Sequence, residues 1–209
     1  MHYICKKIPT GMLMKKSEIT RQMLLQKAFE LIYVKGYQSS SIDDIIATTN
    51  VTKGAFYHHF QHKEEMGLAL IKEYIQGTMQ EMILSRLHDS EDPLEAIYDL
   101  MHILLLETPV MQAKYGCPTH NLIQEMAPLN TAFKQALFEI TEQTRNALTG
   151  ILEKAKSKGK IRQEVDCKEV ALFVVAGYAG IRNIGKLYDD DTCYHDYLAL
   201  LKRYLNGLV

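Results

Sequence analysis

The sequence predicts an all-α protein of about nine helices, and three observations carry that prediction. Strand signals are nearly absent, apolar residues recur at helical spacing along almost the whole chain, and glycine and proline divide it into helix-length pieces with short connections. The 209 residues are enough for one or two domains with a real core.

The first helix is expected from Ser17 to Val34. Leu24, Leu25, Ala28, Phe29, Ile32 and Tyr33 form its buried stripe, and Gly36 stops it. Ser40 and Ser41 are N-cap candidates for a second helix that ends near Thr49. Asp43 and Asp44 fall in its first turn, where negative charge suits the helix dipole. Asn50, which tolerates positive φ, suits the following turn. Thr52 then caps a third helix, Lys53 to Phe60, with Phe56 and Phe60 facing the core. A fourth helix is expected from Lys63 to His88. Asp92-Pro93 opens a fifth that runs to Glu107, with proline at the first helical position. Thr119–Met126, Asn130–Lys158, Lys168–Leu187 and Thr192–Leu205 complete the set, with Gly159 as the stop of the long seventh helix.

The stretch from Ser40 to Lys63 is the most informative. Two short helices joined by a tight turn, the second aromatic and flanked by lysines, form a helix-turn-helix that places one helix in a DNA major groove. Gly54 is costly within a helix, which points to close approach of the backbone to a phosphate or base. Lys53 is the candidate base reader, since lysine donates to guanine. Thr52 and Ala55 are placed to sense groove edges or a thymine methyl. Ser40, Tyr57, His58 and Lys63 are the candidate phosphate contacts. His59 reads better as a plain solvated residue.

Gly36-Tyr37, Ser40-Ser41-Ile42, Asp44-Ile45, the run Val51 to Phe60 and Lys63-Glu64-Glu65 together resemble the N-terminal module of TetR/AcrR-type bacterial regulators. The match covers some thirty residues without a gap. Ile46, Asn50, His62 and Met66 depart from the family pattern, and none of them removes an expected DNA contact. Residues 1–16, without clear periodicity and holding Pro9 and Gly11, read as a flexible arm, and the resemblance implies a DNA-binding domain over 17–62 and a helical ligand-binding and dimerisation domain over 63–209. It implies a homodimer joined through residues 168–205, whose two recognition helices stand about 34 Å or somewhat more apart on a near-palindromic duplex operator. It also implies a small-molecule effector that shifts the fourth helix and so the spacing of the heads. Ala171, Val174, Val175, Tyr178, Ala179 and Ile181, with Gly177, Gly180 and Gly185, suit close packing across such an interface.

Net charge is −1, with no overall nucleic-acid signature, but its distribution is uneven. Residues 1–70 hold nine Lys/Arg against six Asp/Glu, and the remainder hold fifteen against nineteen. The phosphate-binding end is therefore basic. No continuous apolar run of membrane-spanning length and no signal peptide are visible, and the four cysteines show no metal spacing. The expected setting is a reducing cytoplasm with free thiols and no cofactor, metal or membrane partner. Met14 is an alternative start.

Candidate effector-lining residues are Met79, Met82, Ile83, Met101, Leu104, Leu105, Tyr115, Phe173 and Tyr178, an adaptable, methionine-rich set. Tyr115-Gly116-Cys117-Pro118-Thr119-His120-Asn121-Leu122 resembles a G-C-x-x-x-N-L element of one branch of the family. It adds Cys117, His120 and Asn121. A helix start lowers a thiol pKa, so an oxidant- or electrophile-sensing regulator acting through Cys117 is one alternative. An architectural DNA-binding protein without a ligand is another. A helical enzyme lacks support, because no nucleophile elbow, zinc-protease motif or phosphate loop occurs.

Overall fold

A computed structural model describes residues 15–79, 87, 92–109 and 111–209, and the expected N-terminal arm falls almost wholly outside them. The described residues are helical, without strands. The helices are α1 (Lys16–Lys35), α2 (Ile42–Ala47), α3 (Lys53–His59), α4 (Lys63–Ala69, continued through a π-helical stretch Leu70–Ile75 to residue 79), α5 (Pro93–His102, continued as a π-helical turn Ile103–Glu107), α6 (Pro118–Met126), α7 (Thr131–Ser157), α8 (Cys167–Ile184) and α9 (Thr192–Asn206). The expected passage of α4 to His88 lies largely outside the described residues.

The packing divides the chain into two compact units. One holds the residues up to Met79 together with Asn121–Leu137, and the other holds Gln80–His120 and Phe138–Val209. Helices α6 and α7 thus give residues to both units.

In the first unit, α1 buries Leu24, Leu25, Ala28, Phe29 and Ile32 and ends at Gly36, whose φ of 88° only glycine adopts easily. Ser41 caps α2: its hydroxyl accepts from the Asp44 amide, and the Asp44 carboxylate accepts from the Ser41 amide. The turn before α3 differs from expectation. No residue other than glycine has positive φ among those described, so Asn50 is not left-handed. Side chains build the turn instead. Thr48 and Thr49 hydroxyls donate to the Ile45 and Ile46 carbonyls, and Thr49 Oγ1 accepts from the Val51 amide.

In the second unit, Asp92 caps α5 by accepting from the Leu94 and Glu95 amides. Helix α9 packs on α5, with Lys202 paired to Glu95 and set over the Tyr98 ring. Helix α8 meets α9 through two glycines. A Cβ on Gly177 would press on Tyr197, and one on Gly185 would overlap Tyr194. Those two glycines therefore serve packing within the subunit, whereas Gly180 opens to empty space.

The expected interface stripe on α8 is also corrected. Ala171, Val174 and Tyr178 lie in the subunit's own core, and Val175, Ala179 and Ile181 are half-buried. The outward apolar residues are Leu172, Phe173, Ile184 and Leu187, with Leu200 on α9. Segment Cys167–Leu187 is long and apolar enough to cross a membrane by length and composition, with mean hydropathy 1.3. Interior helices of globular proteins share that composition.

Candidate nucleic-acid interface and regulatory site

Helix α3 is fixed from within. Phe56 and Phe60 are buried with ring centroids 5.6 Å apart. Arg21 of α1 holds the far end: its Nη1 donates to the His59 carbonyl at 3.0 Å, its guanidinium lies 4.4 Å from the Phe60 ring centre, and it pairs with Glu73 at 2.5 Å. Thr52 caps the near end by accepting from the Ala55 amide. This fixing leaves Lys53, Gly54, Tyr57 and His58 exposed with Thr52 beside them, and Ala55 half-buried. A Cβ on Gly54 would meet nothing within 4 Å, so no packing inside the chain demands glycine there.

Lys53 Nζ lies 2.7 Å from Asp43, both exposed, and its pKa is raised by that hydrogen bond and charge. An exposed pair of this kind is weak and readily exchanged for a phosphate or base. Lys63 is half-buried, 4.3 Å from the Tyr37 ring centre, with its Nζ 3.4 Å from the Gln38 carbonyl; burial lowers its pKa. His59 is half-buried, and burial, with His58 and Arg21 nearby, holds its imidazole below the usual value. Ser40 does not fit a phosphate contact. It is 1 % exposed, and its hydroxyl donates to the Gly36 carbonyl at 2.7 Å, securing the α1–α2 turn.

The same turn is gripped from α6. The Glu125 carboxylate accepts from the Tyr37 amide at 2.8 Å and the Gln38 amide at 2.6 Å. Phe133 of α7 meets Tyr37 edge-on at 4.9 Å, and Gly67 of α4 leaves room for both rings.

Among the candidate effector residues, Met101, Leu104, Leu105, Cys117 and Tyr178 are buried in the second unit, with Tyr115 and His120 half-buried there. Met79 and Asn121 belong to the first unit, and Met82 and Ile83 lie outside the described residues. Phe173 is misplaced in the expected lining. It is 52 % exposed on the outer side of α8, and its ring lies tilted against that of Tyr204 with centroids 4.5 Å apart.

Gly116, at φ 72°, turns the chain into α6, and Cys117 precedes its first residue. Burial pushes the Cys117 thiol up, but hydrogen bonds and charge from His120, with Arg182 nearby, outweigh it and bring the pKa down to about 7. Arg182 of α8 is buried, and its Nη2 donates to the Met111 carbonyl at 3.1 Å and the Gly116 carbonyl at 2.5 Å. His120 and Tyr178 rings lie 5.8 Å apart.

Residues 24–70 match the family model for bacterial regulatory proteins of the tetR family, and residues 94–201 match that for the tetracyclin repressor-like C-terminal domain. The chain belongs to the TetR family. An uncharacterized HTH-type transcriptional regulator from the lacX 3' region of Lactococcus lactis subsp. lactis is 30 % identical over 142 residues, 65 % of this chain and 72 % of that protein. The HTH-type transcriptional repressor DhaR of Mycobacterium sp. (strain GP1) is 29 % identical over 160 residues, 77 % of this chain and 79 % of that one. The crystal structure of a TetR transcriptional regulator from Chloroflexus aurantiacus J-10-FL superposes with a TM-score of 0.84 at 26 % identity, covering 94 % of this chain and 98 % of that one. The protein is a ligand-responsive DNA-binding transcriptional regulator of the TetR family.

Three residues of the first unit and one of the second have no site role in the sequence expectations. Asp43 pairs with Lys53, Arg21 holds the far end of α3, and Glu125 grips the turn between α1 and α2. Nothing local marks Glu125, whose partners lie 87 and 88 residues away. Arg182 carried a usable signal, since it is the one charged residue between Glu169 and Lys186 in an otherwise apolar helix.

Proposed function

We propose that the protein is a homodimeric cytoplasmic repressor. It holds a near-palindromic operator through α3 of each subunit and releases it when a small molecule occupies the regulatory unit. The exposed α3 face carries this reading: it presents Thr52, Lys53, Gly54, Ala55, Tyr57 and His58 outward while Phe56 and Phe60 anchor it from behind. Lys63 adds a cation beside that face once its contact with Tyr37 and Gln38 is exchanged for phosphate. The outward apolar residues Leu172, Phe173, Ile184, Leu187 and Leu200 support dimerisation through α8 and α9.

Neither the thiol-sensing alternative nor the ligand-free architectural alternative is favoured by the family match. Gel shift with the DNA flanking the protein's own gene tests the proposal. A discrete complex that resists unrelated DNA and is relieved by a small molecule is expected. Binding that grows with DNA length and ignores sequence contradicts it.

A further inference from the structure

The pairing of Lys53 with Asp43 bears on how the recognition surface chooses among sequences. Lys53 is the one lysine or arginine between Lys35 and Lys63. Residues 36–62, which contain α2, α3 and the turn joining them, hold one lysine against two aspartates, a net charge of −1 with histidine neutral. The surplus of positive charge in residues 1–70 therefore lies outside this segment. The Asp44 carboxylate accepts from the Ser41 amide and hydroxyl, and it is Asp43 that meets the cation. Lys53 Nζ lies 2.7 Å from Asp43 Oδ1, with the two side chains 58 % and 72 % exposed. The one lysine of α3 is thus held in a neutral pair on the face that the helix turns outward.

Phosphates and bases differ in what they offer such a pair. A phosphate offers acceptors and negative charge, so it attracts a lone ammonium and repels a carboxylate. A base pair in the major groove offers an acceptor beside a donor. Guanine O6 lies next to the cytosine N4 amino group, and adenine N7 next to its own N6 amino group. An ammonium and a carboxylate 2.7 Å apart match such an edge, the lysine donating and the aspartate accepting. On bare backbone the pair must separate, and the carboxylate is left beside like charge.

We propose that Asp43 is a specificity-determining residue: held against Lys53, it suppresses sequence-independent binding to the phosphate backbone and lets the pair engage a base edge that sets an acceptor beside a donor. The proposal rests on the reading that the outer face of α3 enters the groove, and it adds a residue of α2 to that face. The penalty falls on every unrelated site and is offset only where a base edge receives both groups.

The test is fluorescence anisotropy of the full-length protein on the flanking DNA and on unrelated DNA of equal length, over a range of salt concentrations. Asp43 is exposed, so Asp43→Asn keeps the fold. It is expected to tighten unrelated DNA about tenfold at low salt and flanking DNA only about two- to fivefold, with the salt dependence on unrelated DNA steeper by about one phosphate contact. Lys53→Ala supplies the second arm. In that background Asp43→Asn is expected to change both DNAs by the same factor, because no ammonium remains to redirect. An equal effect on both DNAs in the protein that keeps Lys53, zero included, overturns the proposal. So does a loss of selectivity just as large in the Lys53→Ala background. An unaltered protein that binds both DNAs alike overturns the regulator reading itself, and the proposal with it.

Discussion

We assign sequence choice to Lys53, and Asp43 is its ion-pair partner within the chain. Asp43→Asn leaves Lys53 unpaired and also removes a negative charge facing the DNA. Affinity for the flanking DNA, read by fluorescence anisotropy at low salt, is expected to rise about two- to fivefold, whereas Lys53→Ala reduces discrimination between related sites. Cys117 gives a second prediction at this scale. Its pKa falls from 9.0 in the ordinary thiol to about 7 in the fold. The thiolate therefore contributes stability that is complete above the ordinary value and is lost as pH falls through about 7. Denaturation of wild type and Cys117→Ser from about pH 6 to about pH 10 is expected to diverge across that interval, with wild type gaining as pH rises. Parallel curves would contradict the assignment. The residues around α3 were legible in the sequence because their signals are local: Thr52 caps, and Phe56 and Phe60 recur one turn apart. Ser40 was misread because a hydroxyl beside a helix start satisfies a neighbouring carbonyl as readily as it meets a phosphate, and spacing does not separate the two.

The helices followed from their caps and breaks. Ser41, Thr52 and Asp92 begin elements through side-chain oxygens that accept from free amides, and Gly36 and Gly159 end elements at positive φ. The grip of α6 on the α1–α2 turn was not legible, because it is a tertiary contact between distant segments. Glu125→Ala removes the acceptor for the Tyr37 and Gln38 amides and is expected to cost about 1.5–3 kcal/mol in chemical denaturation of the full chain. Glu125→Gln, which keeps one oxygen acceptor, should lose less. A loss confined to the surface-mutation range of about 0.5 kcal/mol would show that water replaces the carboxylate without penalty. Helix α8 was read correctly as an element and wrongly as a face. It is apolar on more than one side, inward through Val174 and Tyr178 and outward through Leu172 and Phe173, so periodicity identifies a helix without choosing its core side.

At the scale of the whole molecule, the outward apolar residues of α8 and α9 and the basic head fit the proposed dimer. Leu187 is 85 % exposed and Leu172 53 %, and both belong to the outward apolar residues that we assign to the subunit contact. Leu172→Glu is expected to shift the protein from dimer to monomer in sedimentation equilibrium and to weaken operator binding severely, because each head then reaches its half-site without the other. An unchanged dimer would place the interface elsewhere. The central claim, that the outer face of α3 enters the groove, is tested most directly by hydrogen–deuterium exchange of the protein free and bound to its flanking DNA. Amides of residues 53–59 should exchange more slowly in the complex, together with those of the α1–α2 turn. A stable complex in which that helix exchanges as fast as in the free protein would contradict the account.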